Sequence, residues 1–207
     1  MPLLRKLDKG FYNRKDVLTI AKELLGKIIV TNFDQQFTSC RIVETEAYAG
    51  ETDKASHAYG GRRTARTEIM FGKPGTAYVY LCYGIHQMFN VVTNSEGIPH
   101  AVLIRAAEPL EGIGFMCARA GKIHPDFTLT RGPGNVAKTL GIFTKHTGMS
   151  LDSNHFYIAE DDVRLKKEMI LSTTRIGVHY AAEDSLLPYR FLVKGNPYVS
   201  GPKLKLL

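Results

Sequence analysis

Residues 37–49 read FTSCRIVETEAYA. The stretch begins as a β-strand, with Ile42 and Val43 leading in, and then sets Glu44, Glu46 and Tyr48 at every second position. Side chains along a strand alternate faces with period two. Two carboxylates and a phenol therefore share one face of an otherwise apolar strand. A buried carboxylate without partners is costly, so this face requires cationic neighbours, a water-filled cleft, or both. A half-exposed strand whose polar face meets solvent has the same pattern, and both readings stand at this level.

Outward from that strand, KIIVTNF (27–33) is its natural hairpin partner, turned by Asp34-Gln35-Gln36. KDVLTIAKELLG (15–26) predicts a helix capped by Asp16 and closed by Gly26. The polar, Gly-rich and charged stretch 50–75 predicts a long ordered loop, a length that tends to be functional. Residues 76–92, TAYVYLCYGIHQMFNVV, predict a hairpin turning at Tyr83-Gly84. HAVLIRAA (100–107) predicts another strand, EPLEGIGFMCARAG (108–121) a helix weakened by glycine, and RGPGNVAKTLGI (131–142) a short helix with Pro133 in its first turn. VRLKKEMILSTT (163–174), RIGVHYA (175–181) and YRFLVKG (189–195) predict strands. The expected fold class is α+β: a single domain over residues 1–207 with a mainly antiparallel curved sheet, peripheral helices and a protruding β-hairpin.

The chain has 207 residues, 44% hydrophobic and 23% charged, an ordinary globular composition. No apolar run approaches the roughly 20 residues a membrane helix needs. The N-terminal MPLLRKLDKGFYN carries no apolar leader core, so the expected location is the cytoplasm. Cys40, Cys82 and Cys117 form no C-x-x-C pair, and the histidines lack ligand spacing, which argues against a metal site or a disulfide framework. The formal charge of +7 favours polyanionic partners such as nucleic acid, although surplus basic residues also simply solubilise.

Several residues invite chemistry. Tyr78 and Tyr80 share a strand face, and Tyr83 stands at the hairpin turn, where a ring has little of its own fold to pack on. An aromatic there can act as a wedge between stacked bases; Tyr78 and Tyr80 are equally ordinary strand residues. Arg105, inside an apolar strand, needs a carboxylate partner, and Glu44 or Glu46 is the natural one. Arg62, Arg63 and Arg66 could grip phosphates, or form a solvated basic loop. Gly132-Pro133-Gly134 matches part of a dinucleotide fingerprint, but the βαβ context is absent; as a helix start it could still receive a phosphate.

RIVETEAY, His57 with GGRRTART, MFGKPGTAYVYLCYG, Asn90, VLIRAAEPLEG, RGPGNVAKTLGI and RFLVKGNPYVS occur in this order from about Leu18 to Ser200. Together they resemble the alkyladenine (3-methyladenine) DNA glycosylase family, in its compact bacterial form. The resemblance implies a monofunctional glycosylase that flips out and hydrolytically excises alkylated or deaminated purines, among them 3-methyladenine, 7-methylguanine, hypoxanthine and etheno-adenine. It implies Glu46 as general base activating water, and Arg105 as the residue that helps hold that water. Tyr48, His57 and Tyr80 are implied as walls of the base pocket. Asn90 is implied as the asparagine opposing the exocyclic amino group of guanine, and Tyr83 as the residue entering the duplex. Glu44 is expected to orient Arg105 or a tyrosine hydroxyl; Tyr78, Arg62, Arg66, Gly132 and Gly134 are candidate supporting or DNA contacts. The resemblance further implies action as a monomer on double-stranded DNA with no cofactor. The chain departs from the mammalian pattern at His86, where those members carry tyrosine, and in GPGNVAK, which replaces a serine-bearing helix start. On the residues alone, a non-catalytic nucleic-acid-binding module and a nucleoside hydrolase stand as alternatives.

Overall fold

The computed structural model describes residues 4–201; the ends of the 1–207 domain reading, and the first three residues of the stretch read for a leader, lie outside them. A short strand β1 (Arg5–Lys6) and a single helical turn α1 (Lys9–Tyr12) lead into α2 (Val17–Leu24). Asp16 caps α2 by accepting from the Leu18 N–H at 2.9 Å, which satisfies one of the amides a helix start leaves free. Gly26, at φ +83°, ends it and donates its N–H to the Ile42 carbonyl, tying the helix to the strand of the opening motif.

The hairpin β2 (Ile28–Phe33) and β3 (Gln36–Tyr48) follows. Asp34 and Gln35 both take positive φ at its turn, 51° and 60°, the conformation whose twist matches a two-residue hairpin. A polar segment then crosses residues 49–76 with short 3₁₀ turns at Gly50–Thr52, Tyr59–Gly61 and Glu68–Phe71. A second hairpin, β4 (Ala77–Cys82) and β5 (His86–Thr93), leads to β6 (His100–Glu111), then helices α3 (Ile113–Ala120) and α4 (Pro133–Leu140). Strands β7 (Phe156–Glu160), β8 (Ile170–Thr173) and β9 (Arg190–Val193) complete the described elements.

All nine strands join one sheet in the order β1-β7-β2-β3-β6-β5-β4, with β9 on β3 and β8 on β9. Every pairing is antiparallel. The α+β class expected from the sequence is the one observed.

Strand β3 is the axis of the molecule. Its first half pairs β2 and its second half pairs β9, while β6 runs along the other edge. The β3–β6 register slips around Val43: Ile42 faces Ala107 and Glu44 faces Ala106. This β-bulge changes which residues face the helices. Before it, Cys40 and Ile42 lie in the main core; after it, Val43 and Ala47 do. Thr45 also points there, its hydroxyl donating to the Ala21 carbonyl of α2. Unbroken alternation from Ile42 would have driven Glu44, Glu46 and Tyr48 under the helices. The extra residue turns all three to the opposite face, a use bulges commonly serve beside functional sites.

The sheet thus divides its labour. One face, with Ile42, Ala77, Val79, Phe89, Val91, Val102 and Ile104, packs on α2, α3 and α4. The other carries Glu44, Glu46 and Tyr48 with Asn90, Leu103, Arg105, Tyr78 and Tyr80, and is covered by the polar segment 49–76 and the chain after β8.

Four sequence expectations need correction. Strand β6 runs on through Glu111, so residues 108–111 are sheet rather than helix, and α3 starts only after Gly112 at φ +73°. A Cβ at Gly112 would come within 2.1 Å of the Phe37 carbonyl oxygen, so the chain turns off the sheet there and only glycine fits. Of 163–174, only Ile170–Thr173 is strand. RIGVHYA is not a strand: it bends at Gly177 and enters 3₁₀ turns over His179–Leu186. Strand β7, unmarked in the sequence reading, pairs between β1 and β2.

Candidate active site

The bulge brings Glu44 and Glu46 together on one side of β3, both fully buried. Arg105, from the neighbouring β6, lies against both. Its Nε is 3.1 Å from Glu44 Oε1 and its Nη1 is 3.3 Å from Glu46 Oε2. Burial works against the Arg105 charge, but the two facing carboxylates outweigh it and hold its pKa above the ordinary value.

The two carboxylates differ in what remains to them. Glu44 Oε1 accepts from Arg105 Nε, from Arg190 Nε at 2.6 Å and from the Ser200 hydroxyl at 2.9 Å. Its Oε2 accepts from the Ser200 N–H at 2.6 Å. Glu44 thus takes four donors, three of them on Oε1, and serves to hold two arginines. Glu46 Oε1 accepts from the Ile176 N–H at 2.8 Å, and Oε2 from the Tyr48 hydroxyl at 2.9 Å beside Arg105. It retains a lone pair. Of the two, Glu46 is the carboxylate equipped to take a proton.

Tyr48 links that carboxylate to a narrow slot lined by Tyr48, Ala55, Ser56, His57, Met70, Tyr78, Tyr80, Asn90, Ala101 and Tyr180. Burial, then the Glu46 charge, pushes the Tyr48 phenol well above its usual pKa, so it stays a hydrogen-bond donor. Behind the ring, the Arg175 guanidinium lies 4.9 Å from its centroid. Arg175 is itself held by Asp53, at 2.5 and 2.8 Å, and by the Ala47 carbonyl. Asp53 also accepts from the Ala49 and Ala55 N–H groups. One buried ion pair therefore fixes both a wall of the slot and the loop that lines it.

On the opposite side, His57 packs edge-on to Tyr80 with centroids 4.6 Å apart, and Tyr78 tilts against Tyr80 at 5.4 Å. The His57 Nδ1 is 2.8 Å from the Tyr78 hydroxyl. Burial, reinforced by Arg66 and Arg62, depresses the His57 pKa to about 4, so the imidazole is neutral at neutral pH. Tyr78, raised to about 12 chiefly by burial, keeps its proton and also meets Arg66. The hydroxyl and the imidazole nitrogen thus share one proton-bearing contact, which fixes the His57 ring against Tyr78. Arg66 also covers the Tyr80 ring, 5.5 Å from its centroid. Asn90 is buried opposite Tyr78 in the β4–β5 ladder, its amide donating to the Tyr78 and Met88 carbonyls.

Tyr83 stands apart from this cluster. It occupies the turn of the β4–β5 hairpin at φ +51°, followed by Gly84 at +72°, and is 89% exposed. Arg62 is exposed and joins the cluster only through its charge near His57. Arg63 pairs with Glu68 and lies over Phe71, so it is committed to the loop's own structure. Gly132 and Gly134 begin α4, and a Cβ at Gly134 would meet the His86 ring at 3.0 Å: this helix start packs against the hairpin beside its turn.

Sequence reasoning missed Arg190, Ser200, the Arg175–Asp53 pair, the Ile176 N–H and Tyr180. Arg190 carried a signal, since an arginine in the apolar run RFLV raises the same question as Arg105. The Arg175–Asp53 pair, the Ile176 N–H and Tyr180 depend on the fold that follows Thr174, where RIGVHYA has the composition of a strand, and Ser200 carries no signal of its own.

Among the described residues, no group of three or more His, Cys, Asp or Glu side chains converges as metal ligands, and no helix is long and apolar enough to cross a membrane. The model of the methylpurine-DNA glycosylase family matches residues 10–197. A protein of Desulfitobacterium hafniense (strain Y51), described as "Putative 3-methyladenine DNA glycosylase", is 45% identical over 95% of this chain and 99% of its own length. Similarly described proteins of Bacillus cytotoxicus and Chlamydia felis are 47% identical over 89% of this chain and 45% identical over 90%, each across 95% of their own length.

Proposed function

From the premise that this chain belongs to the methylpurine-DNA glycosylase family, and is therefore a DNA glycosylase of DNA repair, we propose that it excises alkylated or deaminated purines from duplex DNA by direct hydrolysis. Glu46 acts as the general base, and the damaged nucleotide is rotated out of the helix to reach it. A single copy acts, in the bacterial cytoplasm, without a cofactor.

The observation that carries this reading is the inequality of the two carboxylates. Glu44, held by four donors, fixes Arg105 and Arg190. Glu46 keeps an accepting site and is tied to the aromatic slot through Tyr48. Cleavage of an N-glycosidic bond develops oxocarbenium character at the sugar. A carboxylate beside that carbon stabilises the positive charge and removes a proton from the attacking water. Water adds to C1′, the purine leaves with the bonding electrons, and Glu46 takes the water's proton. Arg105, bound to both carboxylates, holds Glu46 in place.

The slot explains a preference for damaged bases. Alkylation at a purine ring nitrogen makes the base cationic, and aromatic faces attract cations. His57, neutral because burial and two arginines depress its pKa to about 4, adds a ring without adding a repelling charge. A base within a duplex cannot reach this slot; it must be extruded, which costs a few kcal/mol and less for damaged or mismatched pairs. Tyr83, exposed at the hairpin turn, is suited to fill the space the base leaves. The net positive charge supports phosphate binding and salt-sensitive affinity.

The test is release of free bases from methylated duplex DNA, compared with Glu46→Gln. The wild-type protein should release alkylated purines, and the variant should bind the same duplex while releasing none. Full activity of the variant removes Glu46 from its role. Release from free nucleosides at a comparable rate makes the protein a nucleoside hydrolase instead.

A further inference from the structure

The slot is too small for the base it is read to receive. Its volume is about 30 Å³, the share of one water molecule in the liquid, whereas a purine has nine ring atoms before any substituent. Glu46 has no exposed surface. In this conformation a base cannot reach the carboxylate, and something must move before the two can meet.

One lining tyrosine differs from the other three in how it is held. Tyr48, Tyr78 and Tyr80 belong to the sheet, each flanked by paired strands or by a neighbouring ring. Tyr180 comes from the 3₁₀ segment His179–Leu186 and is 68% exposed, yet it lines the slot. Its hydroxyl donates to the Ala55 carbonyl at 3.0 Å, bridging the two loops that cover the site. Two residues on, Ala182 is held at φ +49°, ψ −126°, a strained conformation for a residue with a Cβ. The segment's other anchors lie to either side of Tyr180. Ile176 donates its N–H to Glu46, and Asp184 receives the Lys54 N–H and the Arg175 guanidinium. Tyr180 can thus swing outward without releasing either anchor.

Resting on the function proposed above, we infer that Tyr180 is a further residue of the base-binding site: it plugs the slot when no base is present, latched to the Ala55 carbonyl, and is displaced when a base is captured. A binding-competent state populated only in part weakens apparent affinity by that fraction. A single neutral hydrogen bond is worth about 1 kcal/mol, so breaking the latch costs the damaged duplex roughly three- to tenfold in affinity. Undamaged duplex, bound through its phosphates, does not meet this cost.

The experiment measures the Kd of methylated and undamaged duplex for Glu46→Gln, which holds the base without releasing it, with and without Tyr180→Phe or Tyr180→Ala. The expected result is tighter binding of methylated duplex, about three- to tenfold for Tyr180→Phe, with undamaged duplex unchanged. Unchanged or weaker binding of methylated duplex by Tyr180→Phe overturns the inference; weaker binding of both duplexes marks Tyr180 as merely structural. Tyr180→Phe removes one oxygen at an exposed position, so the test survives a failure of Tyr180→Ala to fold. A wild-type protein that releases no base overturns the function itself; one that does, with an unaltered Tyr180→Phe, overturns only the plug.

Discussion

The Tyr48 hydroxyl donates to Glu46 over 2.9 Å, from two residues further along the same strand. One side chain therefore walls the slot and supports the carboxylate behind it. Tyr48→Phe keeps the ring and removes the donor, leaving a buried carboxylate oxygen with Arg105 alone. Thermal or urea unfolding should show a loss of about 1–2 kcal/mol, and base release should fall while binding of damaged duplex persists. An unchanged release rate would separate the phenol from the chemistry.

Glu44 and Glu46 should respond differently to the same isosteric change. Glu44→Gln leaves Arg105 and Arg190 buried against a neutral amide, and breaking such a network costs about 3–5 kcal/mol. Glu46→Gln keeps one acceptor oxygen for the Ile176 N–H or the Tyr48 hydroxyl, and Arg105 keeps Glu44, so its cost should be nearer ~1–2 kcal/mol. Urea unfolding of the two variants checks the order. Equal losses would contradict the division between an anchor of two arginines and a carboxylate beside the slot.

Tyr83→Ala should leave stability within about 0.5 kcal/mol of wild type, because the ring touches little of the fold. Its effect should fall on extrusion of the nucleotide, lowering release about tenfold where extrusion limits the rate, the worth of a ring stacked on a base. Fluorescence of a base analogue beside the lesion, followed in rapid mixing, distinguishes lost extrusion from lost chemistry. A slower chemical step after normal extrusion would contradict the wedge.

The pH dependence follows from His57. Its folded pKa of about 4 lies below the ordinary 6.5, because burial and the nearby Arg66 and Arg62 disfavour the imidazolium. Between those values the unfolded chain binds the proton more readily than the folded one, so stability rises with pH there. The contribution is complete above pH 6.5 and is lost as pH falls through 4. Urea unfolding at pH 7.5 and pH 5 should show a decline for wild type that shrinks in His57→Gln. An identical decline in both would assign it to other groups.

Local periodicity made much of this molecule legible. The α2 cap at Asp16, the β2–β3 turn and the Tyr83-Gly84 hairpin each depend on residues within a few positions of one another, and each stands where the pattern indicated. The pairing of Arg105 with Glu44 and Glu46 was also readable, since a cation in an apolar strand demands a buried anion. The 175–181 segment was not readable. Its composition suits a strand, but the Ile176 N–H is spent on Glu46, 130 positions away in sequence, and Gly177 at φ +78° turns the chain off the sheet. The bulge at Val43 was equally silent: it shows only in the register with β6, and alternation gave the right common face for Glu44, Glu46 and Tyr48 without revealing how the chain turns them from the core.

Glu44 closes its network with Arg190 and Ser200, near the far end of the chain. During synthesis the N-terminal half, with its carboxylates, leaves the ribosome long before these partners do. Until they arrive, the acid at 44 and the cation at 105 lack half of their mutual neutralisation. The buried network of Glu44, Arg105 and Arg190 is thus among the last parts to set. A transcript cut short before codon 190 should yield a polypeptide with most of its sheet sequence and no working enzyme.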